Sequence, residues 1–369
     1  MIKFNYPDDS NFLDEYYKIF NFATDQENKW NSFVISHPKK NSYLPQTLKE
    51  LLICPPLKIL EIFTIFSKKK YKKKELKSIS FIDYEKNNDK IIDFFLMHKD
   101  KLDISTCCYC NLSYVNIFQN KNEKELLDIL NSPDDGNIIS LFKRANVDCS
   151  PSMLKKIKKN QPYSSIEDFD KLDKRWNGKK SLQLSIMQQQ FDLDHFLPKS
   201  ECFLISLSLN NLVPSCQVCN SRIKLANYIK KAKLQERHFP TSKNYNYENE
   251  LEFSLWLHKV PELEFSSHPD YFSLHIDEKK KNSIYMEEAE LFRIQDRYQY
   301  HICEVLRYVD NQRFFNKFYT RMMLNNLIND ETLNNLALLK EIICNVDFKN
   351  ENKRIMSKLF NDIKKQFEN

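Results

Sequence analysis

Apolar and polar positions along this chain change period several times, and each change marks a predicted element. Phe12, Leu13, Tyr16 and Phe20 recur at helical spacing behind Asp9 and Ser10, either of which can cap the helix they begin. Pro55-Pro56 opens a second helical stretch with Leu57, Leu60, Phe63 and Phe66 as its apolar positions. The lysine run from Lys68 to Lys74, broken by Tyr71, follows directly. It reads as a solvated helix end or as a contact to a phosphate backbone, since clustered lysines release counterions from nucleic acid. Between Asn111 and Gln190 the pattern is mixed. Pro133-Asp134-Asp135-Gly136 signals a turn, Ser150-Pro151 an N-cap with proline at the first helical position, and Ser165 with Asp168 a capping box.

Strict alternation appears next. Phe191 and Leu193 fall on one face and Asp192 and Asp194 on the other, predicting a strand with a carboxylate at its end. Ser221 to Leu234 reads as a helix, with Ile223, Ala226 and Ile229 on one side and Arg222, Lys224, Lys230 and Lys231 on others. Leu251, Phe253, Leu255 and Leu257 alternate again, as do Phe272, Leu274 and Ile276, predicting half-buried strands. From Met286 onward the period is helical, and Leu291, Ile294, Tyr298, Ile302 and Val305 form a stripe read as core packing. The expected fold is mainly α with a small α+β core. Its parts are a helical region at 1–100, a central domain at 101–240 carrying a helical insert at about 112–190, and a C-terminal region at 241–369 with short strands and then helices.

Composition narrows the functions available. The 369 residues are 41% hydrophobic and 13% aromatic, enough for a sizeable core. Only Gly136 and Gly178 are glycines, which excludes a glycine-rich phosphate cradle. Fifty-six Lys and Arg against 50 Asp and Glu give a net charge of +6, too mild to name a partner alone. No secretory signal and no apolar stretch of spanning length are visible, so a cytoplasmic protein without a membrane partner is expected.

Ten cysteines in such a chain suit metal binding in a reducing compartment. Cys107 and Cys110 form one Cys-x-x-Cys knuckle and Cys216 and Cys219 another. Four thiolates can close a tetrahedral zinc site that folds the locality and leaves no position open for chemistry. Two unrelated thiol pairs are the alternative. Cys108 has the wrong spacing for a ligand, and Cys54, Cys149, Cys202, Cys303 and Cys344 have no partner spacing and read as small buried apolar groups. A zinc scaffold frees Asp194, His195 and Asn220 to form a separate reactive centre. A neutral imidazole titrating near working pH can take a proton from water attacking phosphorus.

The stretch from Phe191 to Lys224, with the first knuckle, resembles an HNH endonuclease of the ββα-metal (His-Me finger) superfamily in its zinc-stabilised form. The resemblance implies a ββα core embedded in helical N- and C-terminal regions. It places Asp194 and His195 at the metal-ligand and general-base pair, Asn211 at the middle asparagine, and Asn220 at the second metal ligand. It implies structural Zn²⁺ on Cys107, Cys110, Cys216 and Cys219, and a catalytic Mg²⁺ or Mn²⁺ on Asp194 and Asn220. Hydrolysis of DNA is the expected activity, leaving 5′-phosphate and 3′-hydroxyl ends, and RNA is not excluded. Asn211 would pin the loop after the strand. Arg222 and Lys224 are candidates for gripping flanking phosphates or are simply solvated surface. His238-Phe239-Pro240 and the Leu291-to-His301 helix further resemble HNH effectors of Septu-type and retron-associated antiphage systems, which work beside an ATPase. A zinc-ribbon subunit that binds nucleic acid or protein without cutting is the alternative reading.

Overall fold

The structure is a computed structural model. It describes residues 2–37, 43–67, 77–102, 104–119, 123–144, 149–165, 168, 187–225, 227–229, 233–258, 269–314 and 354–368. The lysine run at 68–74 lies outside them, as does Cys344.

Helix Ser10–Lys18 begins where the Asp9 carboxylate accepts from the Asn11 amide, satisfying one of the free donors of its first turn. Phe12 and Tyr16 are buried along one face. Helix Pro56–Phe66 starts on proline, whose missing N–H costs nothing at that position. Its buried face is Ile59, Ile62, Phe63 and Phe66, whereas Leu57 is exposed and Leu60 only partly covered. The period was legible, but the face is rotated from the expected Leu57–Leu60 stripe, because the helix packs against the loops around residues 203–211 that follow the central strand. Helix Tyr84–Met97, capped by Asp83, contributes Ile91, Phe94 and Phe95 to the same core.

Three two-stranded antiparallel sheets occur among the described residues. β1 (Ile117–Gln119) pairs with β2 (Met187–Gln189) and closes the insert at its base, so the chain leaves and returns at one place. Within the insert, Asp134 Oδ1 accepts from the Gly136 amide at the start of helix Asp135–Arg144, and Ser150 caps helix Pro151–Lys159. The Asp168 amide donates to Ser165 Oγ. Leu126, Leu130, Ile138, Leu141, Phe142, Ile157 and Tyr163 give the insert its own small core.

β3 (Asp192–His195) pairs with β4 (Leu212–Ser215) so that Asp192 faces Ser215 and His195 faces Leu212. The helix expected over Ser221–Leu234 is different in the described residues, outside which Ala226, Lys230 and Lys231 lie. A π-helical turn spans Val218–Lys224 and stops at Leu225, whose φ of 51° ends the helical run. The wide turn begins inside the second knuckle and swings Lys224 inward.

β5 (Leu251–Leu257) and β6 (Phe272–Glu278) form the third sheet, with alternating burial along Leu251, Phe253 and Leu255. The C-terminal helical stretch is broken: Met286–Leu291, Ile294–Gln299 and Ile302–Phe314, the first break at Arg293 in the left-handed region (φ 50°). Helix Ser357–Glu368 packs on β5, where the Asp362 carboxylate accepts from the Phe253 amide. Outside the insert, one buried apolar cluster runs from Phe12 to Ile363 and unites all three sequence regions. Among the described residues no helix is long and apolar enough to cross a membrane.

Candidate zinc centre and the polar site beside it

The two knuckles lie 106 positions apart and meet in space. The β1–β2 closure returns the chain next to its departure point, and Gln190 N–H donates to the Asn116 carbonyl to continue that ladder toward β3. Cys107, Cys110, Cys216 and Cys219 are all buried, and their sulfurs lie within 4.8 Å of one another. Cys110 and Cys216 sulfurs are 3.9 Å apart. A tetrahedron of zinc–sulfur bonds of about 2.3 Å has edges of about 3.8 Å, so the four sulfurs fit that ion. Backbone amides of Cys216, Cys219 and Leu112 point at sulfurs of Cys107, Cys216 and Cys110 at 3.3, 3.5 and 3.4 Å. Arg297 Nη1 lies 3.3 Å from the Cys219 sulfur and adds a positive charge to the rim. Cys108 is buried away from this set, its sulfur 3.9 Å from the Pro214 carbonyl. Among the remaining cysteines, Cys54 and Cys202 are buried, but Cys303 is exposed, contrary to its reading as a buried apolar group. It stands on the outer side of helix Ile302–Phe314, whose buried face carries Val305, Leu306 and Val309.

Asp194 is not free for an ion. Its carboxylate is 4% exposed and accepts from the Tyr109 hydroxyl at 2.6 Å. The Lys224 ammonium sits 3.0 Å from Oδ1 and 2.9 Å from Oδ2, and donates to the His195 carbonyl at 2.7 Å. Burial pushes the Asp194 carboxyl up, and the ammonium and phenol work against that shift. Lys224 is itself buried, so the expectation that it grips a phosphate at the surface is corrected: its charge is spent inside the protein.

His195 projects from the same strand. Its Nε2 is 2.9 Å from the Ser206 carbonyl, which assigns the proton to Nε2 and leaves Nδ1 as the acceptor nitrogen. The ring stands edge-on to Tyr84, centroids 4.5 Å apart, and is 8% exposed. Burial, chiefly, lowers its pKa from 6.5 to about 3. The expected titration near working pH is therefore replaced by an imidazole that rests neutral there, because desolvation penalises the cation.

Asn211 is fully buried and clamps the loop after β3: Oδ1 accepts from the Leu197 amide at 2.9 Å, and Nδ2 donates to the Leu197 and Ile205 carbonyls. Asn220 does not join Asp194. Its Nδ2 donates to Asp192 Oδ2 at 3.2 Å, where Ser221 Oγ also donates at 3.3 Å. The candidate Mg²⁺ or Mn²⁺ ligands Asp194 and Asn220 thus have different partners, and as arranged they do not fit a shared ion. Arg222 is exposed on the π-helical turn, where a phosphate could reach it. Of the more loosely matched segments, Phe239 packs its ring on Phe196 at 4.4 Å. The Leu291-to-His301 segment is split at Arg293, yet Phe292 stacks on Tyr109 at 4.4 Å and the Tyr298 hydroxyl donates to the Cys110 carbonyl.

No family model, curated protein or solved structure matches this chain. Several residues that build the site were invisible to motif reading: Tyr109, Tyr84, Ser206 and Arg297. Tyr109 sits inside the first knuckle and could have been flagged by that position. The others reach the site from distant segments and carry no local signal.

Proposed function

We propose that this chain is an HNH-type endonuclease, hydrolysing the phosphodiester backbone of DNA, with RNA also compatible with the chemistry. The observation that carries the reading is the placement of His195. A strand beside a four-cysteine centre presents an imidazole whose Nε2 is anchored on a backbone carbonyl and whose Nδ1 is left to accept a proton. A bound phosphate is an anion beside that ring, and it opposes the burial that weakens the base. Asn211 holds the strand end in place, and exposed Arg222 offers a fork-shaped donor to a flanking phosphate. In the HNH chemistry that the motif resembles, a divalent ion stabilises charge on the leaving oxygen, but here Asp194 is paired with Lys224 and Asn220 with Asp192. An effector role in antiphage defence beside an ATPase is the setting implied by the weaker resemblance.

The closed pair of Asp194 and Lys224 favours a second reading, a zinc-ribbon subunit that binds nucleic acid or a partner without cutting. Plasmid nicking with Mg²⁺ or Mn²⁺ separates the two. Wild type should nick, and His195→Ala should lose about 10²–10⁴ of the rate. Equal nicking by both proteins, or none by either, removes the nuclease reading.

A further inference from the structure

The Asp194 pocket already contains a cation. Lys224 Nζ touches both carboxylate oxygens and the adjacent His195 carbonyl, and both side chains are almost wholly buried. An ammonium has three protons to give, and here oxygen acceptors lie at 2.7, 2.9 and 3.0 Å. The remaining donor to Asp194, the Tyr109 hydroxyl, comes from the zinc knuckle and fixes the carboxylate from the other side. Carboxylate and carbonyl oxygens are also the donors that a hard divalent ion selects. The same oxygens cannot serve both cations.

We infer that Lys224 is the resident cation of Asp194, so that a divalent ion binds this carboxylate only by expelling the Lys224 ammonium. The inference rests on reading Asp194 as the ion-facing carboxylate of the site. Ion loading is then an exchange: one positive charge leaves the pocket as another enters, and the affinity for the ion is set by what the ammonium gives up. Lys224 is the last residue of the π-helical turn, and Leu225 follows it in the left-handed region.

The test is Mn²⁺ binding to the zinc-loaded full chain, read from the paramagnetic resonance signal of free Mn²⁺, with folding checked by circular dichroism. Lys224→Met should bind Mn²⁺ at least about tenfold more tightly than wild type, because the competitor is gone and Asp194 is left uncompensated. Asp194→Asn with Lys224→Met should lose that gain. If Lys224→Met does not fold, Lys224→Gln, whose amide retains a hydrogen bond to Asp194, carries the same comparison. Affinity equal to or weaker than wild type overturns the inference, and so does tight binding that survives in the double variant. Failure of the nicking assay would sink the nuclease reading and leave this comparison standing.

Discussion

The two ends of one short hairpin hold buried charge in opposite ways. Beyond β4, directly after Ser215, four thiols face one another with the Arg297 guanidinium beside them, a set whose spacing is compatible with a structural zinc ion. At the end of β3, Asp194 is matched within the chain by Lys224 and Tyr109. Burial explains both. Several thiolates brought together repel and are desolvated, so their folding is tied to metal, whereas a single carboxylate can be balanced by one ammonium with good geometry. With zinc bound, the four-cysteine corner would draw its stability from solution. The Asp194 corner draws it from the fold, and this is what closes that carboxylate to other cations.

The largest test of this contrast is removal of a zinc ligand. Cys216→Ser should lose the one bound zinc per chain by elemental analysis and unfold the central region, since structural zinc contributes on the order of 10–16 kcal/mol in small zinc modules. Retained zinc would break the comparison at its first end. Next in size is the internal pair. Lys224→Met should cost about 3–5 kcal/mol in denaturant melts, and adding Asp194→Asn should return most of it, because an isolated buried charge is the penalty. A single variant that is no less stable would show the pair to be idle.

His195 sharpens the contrast through pH. Its folded pKa is lowered from 6.5 to about 3, so the unfolded chain binds the extra proton in that window. The stability it contributes is fully present above 6.5 and is lost as pH falls toward 3. Wild type minus His195→Gln should show a slope of about 1.4 kcal/mol per pH unit across that window. A difference independent of pH would place the imidazole in water. Smallest is Tyr109→Phe, which takes one donor from Asp194 and should cost about 1–3 kcal/mol while zinc content is unchanged. Loss of zinc in that variant would show the two corners to be a single unit.

Much of the local structure was legible in the residues. Ser150-Pro151 starts its helix as the pattern indicates, and the alternation at 191–194, 251–257 and 272–276 becomes strand, because caps and side-chain alternation depend on near neighbours. The four cysteines that cluster were legible too, since the spacing inside each knuckle restricts geometry. The helix after the second knuckle was misjudged: its apolar positions fit an α-helix to Leu234, yet the π-helical turn ends at Leu225. Arg222 and Lys224, two residues apart and alike in sequence, have opposite fates, one exposed and one buried. Charge pattern alone could not separate them, because the carboxylate that draws Lys224 inward lies 30 positions away.

What the sequence by itself determined is the inventory: a mainly helical chain with short antiparallel strands, two cysteine knuckles, and an Asp-His pair at a strand end. Only the tertiary structure decided that the knuckles meet, that the imidazole is anchored on Ser206 and held neutral, and that Asp194 already has a cation. Spacing and alternation are fixed by bonds between neighbours, whereas desolvation and charge pairing depend on segments that only the folded core brings together.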